Sequence, residues 1–341
     1  MMKKKTNILM ALLFALALAA CSSDEEATMQ EVTLTIPIEI YSSNAEVTSR
    51  AASQGDPGND VVFEQPLYLY VYACVKEKDA FGNEDYELLT KTIVPASAGE
   101  DNSQDEWTLE EKDTKSELWK KNVDVTFKIN KELAGDVGDS RVFAIASRDD
   151  LSGKLPADYD DSTPKSTVEA MTLDLSGFTS EQLKNIYSTP LNDTNNGVIT
   201  SSTNGSVVTL TCSTVRLYHV AAKVDFTWEV ASALQPSTEL ATITCTGLPT
   251  TCNVFEPTDN PSGNGTSLVL GTTGAANTVN EANKWLGRAY AFMLQPPTDG
   301  KINYTVTFGG SASRPAVTTS ITPATLNTTY TGWYRVIATV E

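Results

Sequence analysis

The chain has one histidine, His219, and five cysteines, and these bound the chemistry its side chains can do. A Ser-His-Asp triad would have to use His219. That residue lies in a strongly alternating run, beside Tyr218 and Val220, and no G-x-S-x-G turn is present to expose a serine. His219 therefore reads as a strand histidine facing solvent or a neighbour. With one histidine and no C-x-x-C pair, zinc and thioredoxin-type chemistry fail on ligand supply. Asp149-Asp150 and Asp158-Tyr159-Asp160-Asp161 offer carboxylates of the kind that cut glycosides or hold calcium. Neither follows the EF-hand spacing, and in a chain this acidic both read as solvated loops. Ser262-Gly263-Asn264-Gly265 lacks the strand and helix that frame a phosphate loop. Trp107, Trp119, Trp285 and Trp333 could stack on sugars, but core packing explains each of them. The expectation is a non-enzyme with no metal and no cofactor.

The cysteine with the clearest chemistry is Cys21. Lys3, Lys4 and Lys5 precede an apolar run from Ile8 to Ala20, and Leu18-Ala19-Ala20-Cys21 reads as a lipobox. The run is short of the ~20 helical residues that cross a bilayer. It is read as a signal peptide over residues 1–20, with Cys21 as the lipidation site. The acidic stretch Ser22-Ser23-Asp24-Glu25-Glu26 behind it fits a tether of a surface-exposed outer-membrane lipoprotein. Cys245 and Cys252 flank the turn-like Thr246-Gly247-Leu248-Pro249 and are the candidate disulfide, which an oxidising compartment permits. The alternative is a set of buried free thiols.

Charge narrows the partners. Lys and Arg total 25 against 43 Asp and Glu, a net charge of -18 over 341 residues. Such a chain repels phosphate backbones, so no nucleic-acid partner is expected. It repels an anionic membrane face as well, so attachment falls to lipid, which holds stably with more than one acyl chain.

The elements that would position any site are mostly strands. Val32, Leu34, Ile36, Ile38 and Ile40 alternate with Thr33, Thr35, Pro37 and Glu39, which predicts a strand with one face buried. Pro37 has no N–H and predicts an edge or a bulge. Leu67 to Val75 is continuously apolar or aromatic, the mark of a strand covered on both faces. Further strands are predicted at 86–93, 123–129, 142–146, 289–294, 302–308, 317–321 and 333–340. Residues 218–230 form the longest regular alternation in the chain. Loops are predicted at 42–60, 79–85, 97–106 and 189–204. Thr179-Ser180-Glu181-Gln182 is a capping box and predicts a short helix. The fold class is mainly β, two antiparallel β-sandwich domains with short helices, divided as 51–210 and 211–341.

The first strand stands apart because of the segment behind it. Thr48-Ser49-Arg50-Ala51-Ala52-Ser53 places an arginine among small polar residues, a segment open to proteolysis. A cut between Arg50 and Ala51 would detach residues 21–50, tether and first strand together. The groove left behind could accept another chain's strand by β-augmentation.

This arrangement resembles the fimbrillin family, the type V pilins of the Bacteroidales. The matching residues are the lipobox at Cys21, the strand before Arg50 and Arg50 itself. They continue with Val142-Phe143-Ala144-Ile145-Ala146, then Val215-Arg216-Leu217 through Ala221-Ala222-Lys223-Val224, and end with Trp333-Tyr334-Arg335-Val336-Ile337. The resemblance implies transthyretin-like sandwiches, lipoprotein export, cleavage by an arginine-specific protease and polymerisation with other fimbrial subunits by strand exchange, in support of adhesion to a host or glycan ligand. Stalk subunits of the family donate C-terminal strands, whereas here Glu341 comes directly after a strand, so a tip subunit, which accepts a strand without donating one, stays open. The competing reading is a surface glycan-binding lipoprotein of a polysaccharide-uptake system, which needs no detachable strand.

Overall fold

The computed structural model describes residues 29–43, 64–78, 84–93, 107–113, 116–130, 137–160, 163–204, 207–230, 239–246, 248–256, 268–271, 278–279, 285–294, 302–309, 317–321 and 333–340. The fold is mainly β with two short helices among the described residues, as the alternation predicts. Cys21, Arg50, Ala51 and the predicted loop 97–106 lie outside the described residues.

The first part is an eight-stranded sheet in the order β3-β2-β6-β8-β11-β1-β5-β4. Its strands are β1 (Met29–Ser43), β2 (Tyr68–Lys78), β3 (Glu84–Ile93), β4 (Thr108–Asp113), β5 (Ser116–Asn130), β6 (Arg141–Ser147), β8 (Ile186–Ser188) and β11 (Val215–His219). Leu69, Val71, Ala73 and Val75 of β2 share one core with Ile36 of β1 and Val123 of β5, although β2 stands far from both in strand order. The sheet therefore curls over a single apolar interior. Tyr70, Tyr72 and Cys74 point from β2 into a second core with Phe143 and Ile145 of β6. Burial on both faces is why the 67–75 run carries no polar alternation.

The second core is closed by segments between the strands. Helix α1 (Lys165–Glu169) contributes Val168, and β7 (Thr172–Asp174) contributes Leu173. Helix α2 (Ser180–Lys184) starts where predicted, and Thr179 and Gln182 make both hydrogen bonds of the capping box. Residues 199–204, predicted as loop, are instead strand β9 (Ile199–Asn204), in a hairpin with β10 (Val207–Cys212). Only Ile199 of β9 is buried, so its composition reads as loop. Arg141 is buried among backbone carbonyls. Nε donates to Asn196 O at 3.0 Å, Nη1 to Leu191 O at 3.1 Å, and Nη2 to Pro190 O at 2.8 Å and Asp193 O at 2.7 Å. Gly197 closes this turn with φ +69°, and a Cβ there would collide with the Val142 carbonyl oxygen.

The alternating run 218–230 is two strands. β11 ends at His219 and β12 (Ala221–Val230) enters a different sheet. Val215, Leu217 and His219 point inward, which puts His219 in the interior rather than at the surface. β12 sits in the order β16-β17-β12-β20, with β16 (Thr278–Val279), β17 (Trp285–Leu294) and β20 (Trp333–Val340). A second four-stranded sheet runs β15-β13-β18-β19, from β13 (Glu239–Thr246), β15 (Leu268–Gly271), β18 (Ile302–Gly309) and β19 (Val317–Ile321). Most ladders are antiparallel, but β1 with β11 and β12 with β20 run parallel, which the antiparallel expectation lacked.

Between β13 and β15 the chain returns to the first part. β14 (Thr251–Asn253) pairs with β7, and Phe255 packs on Phe143 at a 5.0 Å ring separation. This excursion overturns the predicted disulfide. Cys252 is a free, fully buried thiol in the second core, whereas Cys245 is in the β13 ladder opposite Tyr304 and Leu268. The two cysteines belong to different sheets. Burial pushes the thiols of Cys74, Cys212 and Cys252 up to about 12 each, which leaves them poor nucleophiles.

Candidate functional site: the groove that holds the first strand

The five predicted residues Val32, Leu34, Ile36, Ile38 and Ile40 all point into the core, with none more than 6% exposed. At ~1.5–3 kcal/mol per buried aliphatic side chain, they contribute roughly 7–15 kcal/mol gross before ordering entropy. What the alternation did not reveal is that β1 lies inside the sheet. It pairs antiparallel with β5 over its whole length, Met29 opposite Asn130 through Ser43 opposite Ser116. On its other side it pairs parallel with β11, Ile38 to Ile40 against Val215 to Leu217. Pro37 is thus not on an edge strand of the sheet. It directly precedes the first residue laddered to β11, so its missing N–H falls outside that ladder.

β1 is the link between the β5–β4 hairpin and the other five strands. Without it, two rows of backbone donors and acceptors, on β5 and β11, would face a gap floored by Val123, Val125, Val215 and Leu217. Such a gap binds an extended chain by main-chain hydrogen bonds and selects it by alternate side chains.

The strand is also held by polar contacts the sequence did not flag. The Gln30 side-chain amide donates to Val208 O and accepts from Val208 N, both at 3.0 Å, extending the pairing to β10. On the outward face Thr35 Oγ1 donates to Asp124 Oδ1 at 2.6 Å, and Thr33 and Thr126 share a hydrogen bond of 3.0 Å. Glu39 lies between Lys120, at 3.6 Å, and Arg216, at 3.9 Å. The hydrogen bond from Lys120 to Glu110 raises the lysine above its usual range, and Glu39 adds to the effect.

Other described residues with chemical potential make structural contacts. His219 Nδ1 donates to Lys184 O at 3.0 Å, and the ring stacks near Tyr187 at 4.6 Å. Burial lowers it to about 4, so it is neutral at pH 7. Asp150 accepts from Tyr70 Oη at 2.8 Å and from Ser152 N at 2.8 Å, which fixes a turn and lowers its carboxyl. Trp107 is buried and Trp119 is partly buried against the first core, both as core residues. No group of three metal-ligating side chains occurs among the described residues.

No protein family and no curated relative matches the chain. Among solved structures, the chain is similar to a fimbrial assembly protein from Parabacteroides distasonis, with 12% identity and a TM-score of 0.42, over 90% of this chain and 92% of that one. It is also similar to a candidate cell adhesion protein from Bacteroides fragilis, with 15% identity and a TM-score of 0.36, over 90% and 93%. A candidate adhesin from Bacteroides ovatus shares 9% identity at a TM-score of 0.37, over 91% and 88%.

Proposed function

We propose that the chain is a structural subunit of a cell-surface fimbrium that is matured by losing its first strand and assembles by accepting a strand from another subunit. In this reading Cys21 carries the lipid that delivers the precursor to the outer membrane. An arginine-specific protease cuts after Arg50, the chain restarts at Ala51, and β1 becomes exchangeable. The observation that carries the reading is the burial of β1 inside its sheet, although its covalent link to the strands that follow runs through the stretch containing Arg50.

The energetics fit exchange rather than simple release. A strand worth several kcal/mol stays in its groove after the peptide bond is cut, so the empty groove is never populated for long. A competing strand that enters from one end replaces ladder bonds one at a time and avoids the full cost of exposing the core.

The test is brief arginine-specific proteolysis of the purified precursor, followed by mass analysis and size-exclusion chromatography. The uncut protein stays monomeric. The cut protein yields a fragment beginning at Ala51 and forms oligomers or mixed polymers with partner subunits, while Arg50→Ala stays monomeric under the same treatment. Equal assembly by Arg50→Ala rejects the mechanism and favours the glycan-binding alternative.

A further inference from the structure

The outward face of the groove carries a charge pattern that its apolar floor does not need. On β5, Lys120, Asp124 and Lys128 succeed one another at intervals of four, all pointing away from the core. The residues of β1 opposite them are Glu39, Thr35 and Glu31. Each lysine faces a glutamate, and the aspartate faces a hydroxyl that donates to it at 2.6 Å. Arg216 of β11 adds a second cation beside Glu39. In a chain of net charge -18, these cations stand at the two ends of one strand.

We propose that Lys120, Asp124 and Lys128 act as a register ruler for the strand that enters the groove, and that they select a donor with an acid, a hydrogen-bond donor and an acid at successive intervals of four on its outward face. The proposal rests on the strand-exchange reading. Its physical basis is that the apolar floor fixes register only in part. A slip of one residue turns every aliphatic side chain to solvent and is excluded by the core. A slip of two keeps the aliphatic face inward, and the aliphatic pairs at its centre, Leu34 with Val125 and Ile36 with Val123, discriminate weakly against it.

The ruler discriminates where the floor does not. A two-residue slip one way sets Glu31 opposite Asn130 and Glu39 opposite Asn122, and the other way sets them opposite Thr126 and Leu118. Both lysine pairs are lost in either case. A four-residue slip one way brings Glu39 against Asp124, and the other way brings Glu31 against Asp124. Like charges directly opposite on neighbouring strands are destabilising. The aspartate between the lysines thus penalises both four-residue slips, while the lysines favour the native register. The same pattern rejects basic donor strands, so the occupant is an extended segment of another subunit that runs antiparallel to β5 and carries two acids eight positions apart.

Exchange with synthetic strands tests the ruler. The full chain is cut after Arg50, and a fluorescent peptide of residues 29–43 is added to displace the bound strand. A second peptide carries Glu31→Lys and Glu39→Lys. The parent peptide exchanges in, and the double-lysine peptide competes about tenfold less well or worse, since two attractive cross-strand pairs become repulsive. The gap narrows in ~0.5 M salt. The swapped protein Lys120→Glu, Lys128→Glu reverses the preference. Equal exchange of the two peptides into the parent protein overturns the ruler and leaves strand exchange standing. Failure of both peptides to exchange overturns both.

Discussion

Lowering the pH from 7 to 5 will remove the stability that one buried side chain, His219, contributes. His219 is buried between Tyr187, 4.6 Å away, and Phe292, 6.2 Å away, and its Nδ1 proton is committed to Lys184 O. Desolvation holds its folded pKa at about 4, against 6.5 for an exposed imidazole. Between these values the unfolded chain takes up a proton that the folded chain refuses. The stability this histidine contributes is complete above pH 6.5 and is lost as the pH falls toward 4. With those two values the loss at pH 5 is about 2 kcal/mol relative to pH 7. His219 is the only histidine in the chain, which makes the effect separable. Urea denaturation at both pH values, on the parent and on His219→Gln, isolates it. The parent loses about 2 kcal/mol more than the variant between pH 7 and 5, whatever the variant's starting stability. Proton NMR of the single imidazole gives the native midpoint directly. A midpoint above 6, or a parent-to-variant difference below about 0.5 kcal/mol, would refute the buried neutral histidine.

The packing sets three further outcomes. Ile36→Asp replaces a fully buried aliphatic contact with a charge and costs the uncut protein roughly 3–5 kcal/mol in denaturant titration. The cut, assembled form, which has shed that strand, changes little, and equal damage to both forms counts against strand exchange. Gly197→Ala meets both a left-handed backbone and the Val142 carbonyl, so it destabilises by about 2 kcal/mol or more; a melting temperature unchanged within error would show that the turn relaxes. Cys74 and Cys252 resist alkylation in the native protein and react once it is denatured without reductant; protection of Cys252 under denaturing, non-reducing conditions would restore a disulfide.

The sequence reveals an element where a periodic pattern persists over the length of that element. β1 keeps strict alternation, so its buried face is readable residue by residue. β2 carries an unbroken apolar run because two cores claim its two faces. The pattern misleads at Val220, where alternation continues although the chain passes from one sheet to another. β7 and β14, three residues each, are too short to show a period at all. Arg141 gives no sequence signal, since its partners are backbone carbonyls rather than an acid. The groove's five aliphatic positions were legible, whereas Lys120, Asp124, Lys128 and Arg216 were not. Their meaning depends on which strand lies opposite, and one strand's composition does not state its partner.

The position of β1 also orders events in time. Gln30 and Val208, bonded to each other through both the nitrogen and the oxygen of one amide, are 178 residues apart in the chain. In any process that delivers the polypeptide N-terminus first, β1 emerges long before β11 and β10 exist to receive it. The β5 hairpin can meet it early, but the parallel ladder closes only after some 217 residues are out. Until then a 15-residue strand with five aliphatic side chains waits with one side unpaired, the kind of edge that invites aggregation. A holding chaperone would have its longest engagement with this segment, and completion of the first sheet is timed by the arrival of its most distant strand rather than by the folding of its local hairpins.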